Sequence, residues 1–127
     1  MNLSRFAPWA LVVLRIMVGL LFLEHGTQKL LGFPPGGSAA PAMLALGWFQ
    51  GVIELVGGVL FTIGLFTPAV AFILCGDMAF AYFMFHAPKN FFPMLNGGDA
   101  AILYCFVFFY FIFAGAGPLS ADAVRRR

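Results

Sequence analysis

From Ala7 to Leu31 the chain is apolar enough to dissolve in lipid, yet the stretch LRIMVGLLFLEHGTQKL within it carries Arg15, Glu24, His25 and Lys29. Roughly 20 apolar residues suffice for an α-helix to cross a hydrocarbon core about 30 Å thick. In lipid the backbone has to satisfy its own polar groups, which makes such a segment helical. Each charge on it then has to find a partner, a cavity or the interface.

The rest of the 127 residues repeats the pattern, with 62% hydrophobic residues, seventeen phenylalanines and only 9% charged residues, against about 25% charged in soluble domains. Spans are expected over residues 7–31, 46–65, 69–85 and 99–114, separated by the Pro- and Gly-rich GFPPGGSAAP, the turn at Thr67 and Pro68, and HAPKNFFPMLNGG; GAGP ends the last. Pro8 and Trp9 suit a helix start at the membrane interface. Four crossings nearly exhaust the chain, so residues 1–127 read as one all-α integral membrane four-helix bundle without a soluble catalytic domain. A cleaved signal peptide is not expected, because Arg15 interrupts the first apolar run and no small-residue cleavage site follows.

Net charge is only +2, and Arg125, Arg126 and Arg127 read as a topology signal rather than a nucleic-acid site. With Arg5 they place both termini in the cytoplasm. The two longer loops then face outward and share one basic residue, Lys89.

At 100° per residue, Gly47, Gln50, Gly51, Glu54, Gly57 and Gly58 share one face of the second span, a small-and-polar stripe suited to close helix packing. Arg15, Gly19, Phe22, Gly26 and Lys29 form a comparable stripe on the first, with His25 at its edge and Glu24 on the opposite side. The third and fourth spans contribute Asp77 and Asp99. An unpaired charge at mid-bilayer costs at least ~2.5 to 3.5 kcal/mol, so Arg15, His25, Glu54 and Asp77 form the candidate intramembrane polar cluster. The expected pairs are Arg15 with Asp77, and Glu54 with His25 or Arg15. Such pairs could simply fix helix register, or line a cavity that binds a small ligand or passes protons.

An outer rim gathers Lys29, His86, Lys89, Asn96 and Asp99, where Asp99 suits a helix cap or the helix dipole. No pair of His or Cys stands at metal-ligand helical spacing, so no metal is assigned. Cys75 and Cys105 belong to no C-x-x-C motif. Counting 1.5 Å per residue from the expected span ends leaves them ~10 Å apart in depth, beyond disulfide reach. They read as core cysteines rather than an exchange centre. The runs YFMF and FVFFYFIF read as lipid-facing or packing residues, or as walls of a slot for a flat ring such as a quinone.

LRIMVGLLFLEHGTQKLLGF, GVIELVGGVLFTIGLFTPAVA, NGGDAAILY and GAGPLSAD together resemble the DoxX family of small four-helix bacterial membrane proteins. The resemblance runs from about Leu14 to Asp122 and rests on Arg15, HGxxK at His25 to Lys29, ELxGGxLxxxG at Glu54 to Gly64, and GxGPLSxD at Gly115 to Asp122. It marks Arg15, Gly26, Lys29, Glu54, Gly57, Gly58 and Asp99 as recurring positions without assigning them catalytic roles. It implies a multi-pass protein of the bacterial cytoplasmic membrane, with some members reported in oxidoreductase or oxidative-stress assemblies.

The first functional reading is therefore a redox-associated membrane subunit, with quinone as a possible ligand and no tightly bound cofactor, since haem ligand pairs, flavin motifs and Fe–S cysteine sets are missing from the sequence. In it Arg15 balances the acids while Glu54 and His25 handle protons. The second is an accessory subunit of a larger membrane complex or homo-oligomer, with Glu24 meeting the partner chain. The third is a small proton-coupled transporter or channel, although no internal repeat of the transporter kind is visible.

Overall fold

The computed structural model describes residues 1–37 and 40–127 and is helical, with no strand among the described residues. Residues 38 and 39, inside the expected first loop, lie outside the described residues. Four main helices form the bundle: α1 (Ala7–Leu31), α2 (Leu46–Ile63), α3 (Thr67–Ala81) and α4 (Asp99–Ala114), followed by a short α5 (Ala121–Arg125). α1, α2 and the helical run that begins with α3 and continues to Lys89 are long and apolar enough to cross a membrane; α4 is apolar but has 16 residues. Large apolar side chains cover the outside, among them Leu20, Val56, Phe72, Phe83, Phe106 and Phe113. That surface suits lipid rather than water.

The breakers act where backbone chemistry requires them. Gly32 and Gly64 end α1 and α2 in the left-handed conformation, and Pro8 and Pro68 stand in the first turns of α1 and α3. A left-handed helix end favours glycine, and a first-turn proline removes an amide that lacks an intrahelical acceptor.

α1 and α2 touch through glycines seven residues apart on each helix. A Cβ on Gly26 would lie 2.5 Å from the Leu55 amide nitrogen and 2.8 Å from its Cα, and one on Gly58 would lie 3.0 Å from the Leu23 Cα. Gly19 abuts Thr62, and Gly51 abuts Leu30 and Lys29. Small residues that let two backbones approach are the usual device of membrane helix pairs. The stripe residues therefore form a seam.

α3 lies along α4, and aromatic rings fill the space between the two helix pairs. Phe22 meets Phe108 at 5.0 Å, Phe61 meets Phe108 at 5.0 Å, and Phe61 meets Phe111 at 4.9 Å, all edge to face. Phe22, Phe61, Phe108 and Phe111 are fully buried with Leu74. The FVFFYFIF run is thus divided: Phe108 and Phe111 build the core, while Phe106, Phe109, Tyr110 and Phe113 face outward.

The α3–α4 seam brings Cys75 and Cys105 together, with their Sγ atoms 3.6 Å apart and both thiols free. This corrects the expected ~10 Å difference in depth. α3 starts two residues before the expected span, and the 16-residue α4 is only ~24 Å long rather than 30 Å. Both corrections move the two cysteines towards the same level.

Candidate functional site

The start of α1, the α2–α3 turn and the C-terminal segment meet at one end of the bundle, the terminal end. Gly117 packs on Pro8 and Val12, and the Asp122 amide donates to the Gly64 carbonyl at 2.9 Å. Arg15, 2% exposed, sits in this knot. Its Nε donates to the Thr62 carbonyl at 3.3 Å, Nη2 to the Leu119 carbonyl at 2.8 Å, and Nη1 to the Ala116 carbonyl. Gly64 is required twice here, by its φ of +71° and because a Cβ would lie 3.0 Å from the guanidinium carbon. The expected Arg15–Asp77 pair is absent. Past α4 the chain turns through Gly115 and Gly117, both with positive φ, and brings its carbonyls back over Arg15. A planar guanidinium with five donors suits several carbonyls as well as one carboxylate.

Asp122 completes the knot from outside the spans. It accepts from the Phe66 amide at 2.8 Å and the Thr67 amide at 2.9 Å, capping α3 from a distant part of the chain. Partial burial pushes its carboxyl up, but these two amides and nearby Arg125 outweigh that and hold it below the ordinary aspartate value.

The opposite, loop end is built differently. Lys29 Nζ donates to Glu54 Oε1 at 2.8 Å, with the lysine side chain one-third exposed. Glu54 is 2% exposed, and its Oε2 is buried with no hydrogen-bond partner among the described residues. The expected partner His25 lies within electrostatic range of Glu54, but the direct ion pair is with Lys29. The close α1–α2 seam at Gly26 and Gly51 brings the lysine across Glu54, so its head turns inward instead of reaching only towards water. Asp77 stands beside Gln50 and within electrostatic range of Glu54 and Lys29, with its Oδ2 likewise buried and unpartnered.

Glu54 opens on a cavity of about 220 Å³. Lys29, His25, His86 and Gln50 supply its polar wall; Phe22 and Tyr104 are prominent on its aromatic wall. His86 arrives through a π-helical turn over Tyr82–His86 that continues α3, and its Nδ1 lies 3.1 Å from the Asn96 carbonyl. Asn96 is buried, and its side chain accepts from the Gly98 amide at 2.8 Å while donating towards Tyr82 and the Asn90 carbonyl. This network braces the loop beside the cavity. Such π-turns often mark functional sites.

Of the expected cluster, His25 and Glu54 line the cavity, Asp77 lies within electrostatic range of Glu54 without lining it, and Arg15 is at the other end. Of the expected rim, Lys29 and His86 belong to the cavity. Asp99 is exposed in the first turn of α4 and makes no side-chain cap, because Gly98 is the cap residue; its negative charge suits the helix dipole. Glu24 is exposed on a regular helix, which removes a helix irregularity as its explanation. Tyr104, Gln50, Met78 and Phe85 also line the cavity. Tyr104 could have been found from its one-turn spacing to Ala101 and Phe108 on a shared face. Among the described residues, no three His, Cys, Asp or Glu side chains converge as metal ligands.

A family model for DoxX matches residues 10–87 of the chain, covering most of α1 and all of α2, α3 and the π-helical turn. A protein of Haemophilus influenzae described as uncharacterized is 45% identical over 130 residues, spanning 95% of this chain and 94% of its own length. No solved structure matches. The family match takes in every polar group of the cavity except those contributed from α4 onward, and with it the Arg15 and Glu54 positions; the chain belongs to the DoxX family.

Proposed function

We propose that this DoxX protein is a redox-associated subunit of the bacterial cytoplasmic membrane, whose cavity takes the head of a quinone and exchanges protons through Glu54. The observation that carries the reading is a cavity-lining carboxylate with one oxygen held by Lys29 and the other buried without a hydrogen-bond partner among the described residues. Leaving a buried polar atom unpaired costs about 1 to 3 kcal/mol, which a ligand O–H donating to Oε2 would recover. Phe22 and Tyr104 supply aromatic wall beside a flat apolar head, while His25 and His86 offer donors to carbonyl oxygens. About 220 Å³ falls below the roughly 300–1,000 Å³ of pockets that enclose a whole drug-sized ligand. The fit is to one ring with its tail in lipid.

A bound quinone would supply two-electron, two-proton redox chemistry. Lys29 orients Glu54, Glu54 holds or releases a proton at Oε2, and Asp77 provides a second carboxyl in electrostatic contact with it. Equilibrium dialysis of the protein in nanodiscs against a short-tailed benzoquinol, kept reduced under nitrogen, tests the reading. Binding to the native chain that weakens at least tenfold in Glu54→Gln is expected. Equal binding to both, or none to either, would sink it.

The accessory-subunit reading has one observation in its favour. Glu24 is exposed about 10 Å inside the end of α1, where lipid is a poor solvent for a carboxylate. A stoichiometric partner that is retained by the native chain and lost from Glu24→Leu would support it.

A further inference from the structure

We infer that Cys75 and Cys105 form a redox-active dithiol that closes to an intramolecular disulfide and passes two electrons to a membrane quinone. The chain contains two cysteines, thirty residues apart in sequence, and the fold sets their sulfurs 3.6 Å from each other on facing helices. A disulfide is about 2.05 Å long, so closure requires ~1.5 Å of approach, within the reach of side-chain rotation and a slight shift of α3 on α4. Both residues are half-buried rather than sealed into the core.

Depth selects the oxidant. Cys75 lies about 12 Å along α3 from Thr67 and Cys105 about 9 Å along α4 from Asp99, positions that a water-soluble disulfide or its enzyme does not reach. A lipid-soluble two-electron acceptor does. One S–S bond forms and two S–H bonds break; the two electrons and two protons convert the quinone carbonyls to the two hydroxyls of the quinol. No charge is left behind in the apolar seam.

Neither cysteine lines the cavity, but residues close to each in sequence do. Met78, one turn beyond Cys75, and Tyr104, the neighbour of Cys105, both line it. The oxidised form staples α3 to α4, the two helices that supply the cavity wall opposite Glu54, so the redox state of the seam would set the freedom of that wall. The identity of the oxidant rests on the quinone reading of the cavity, whereas the pairing of the two thiols rests on their geometry alone.

The test uses the full chain, reduced and placed in nanodiscs, then given a fully substituted short-tailed benzoquinone that thiols cannot arylate. Intact mass and non-reducing peptide mapping follow the thiols, absorbance follows quinol, and equilibrium dialysis follows retained quinone. Loss of two hydrogens, a Cys75–Cys105 linked peptide and one quinol per chain are expected, with none of these in Cys75→Ser or Cys105→Ser. Free thiols in protein that retains the quinone overturn the dithiol and leave the cavity reading standing. No retained quinone, with a disulfide still forming under copper phenanthroline, overturns the quinone as both ligand and oxidant.

Discussion

The two ends of the bundle each bury a charged residue at 2% exposure, Arg15 and Glu54, and treat it in opposite ways. Around Arg15 all three guanidinium nitrogens donate to backbone carbonyls, and Gly64 abuts the guanidinium closely enough to leave no room for a Cβ. Around Glu54 one oxygen is held, the other is left without a partner, and a cavity adjoins it. A saturated polar group fixes structure. An incompletely saturated one is available for chemistry, since natural folds rarely leave buried polar atoms unpaired without a reason.

That contrast breaks first at its stronger side. Arg15→Met leaves the Thr62, Ala116 and Leu119 carbonyls without their donor, and hydrogen bonds to a charged group contribute about 1.5 to 3 kcal/mol each. The expected outcome is a loss of more than ~4 kcal/mol, read as a large fall in thermal midpoint in detergent. Glu54→Gln retains an acceptor for Lys29 and should change stability by less than ~1 kcal/mol. Equal destabilisation by the two would erase the distinction between the ends.

The glycine seam gives the next effect. Gly26→Ala would drive a methyl group into the Leu55 backbone, which can yield only by separating α1 from α2, so a cost of about 1 to 3 kcal/mol is expected. Gly76→Ala meets open space on α3 and should stabilise by about 0.5 to 1 kcal/mol. Paired denaturation curves for the two variants measure how much helix proximity, rather than helix propensity, holds the loop-end pair in place.

Asp122→Ala removes the two acceptors that cap α3 and should cost about 1 kcal/mol. Because the folded chain holds this carboxyl below its ordinary value of about 3.9, the contribution is complete above that pH and disappears as pH falls through the depressed folded value. The native protein should therefore lose stability below about pH 4, and Asp122→Ala should lack that component of the loss. The smallest effect is expected from Arg125→Ala, which breaks an exposed 3.8 Å ion pair with Asp122 and should shift stability by under ~0.5 kcal/mol.

Helix positions were legible because Gly32, Gly64, Pro8 and Pro68 mark boundaries by backbone chemistry that a sequence displays. The inward stripes of α1 and α2 were legible for a similar reason, as helical periodicity needs no partner to be read. Arg15's environment was not, because its acceptors are main-chain carbonyls, which every residue type possesses. The Lys29–Glu54 pair was hidden by the length of lysine, which serves inward pairing and outward snorkelling equally well. The cysteine contact was hidden by a two-residue shift in the start of α3, worth ~3 Å, and by a fourth helix only ~24 Å long where a 30 Å core is expected.

The bonds from Arg15 to Ala116 and Leu119 join positions that leave the ribosome far apart in time. During synthesis α1 enters the bilayer with a guanidinium whose acceptors have not yet been made. A chain ending at Ala114 would possess all four main helices and still leave two of the three guanidinium nitrogens without their acceptors. The segment that follows α4 therefore saturates a cation near the start of α1, and the bundle is latched between its first and fourth main helices by main-chain carbonyls alone.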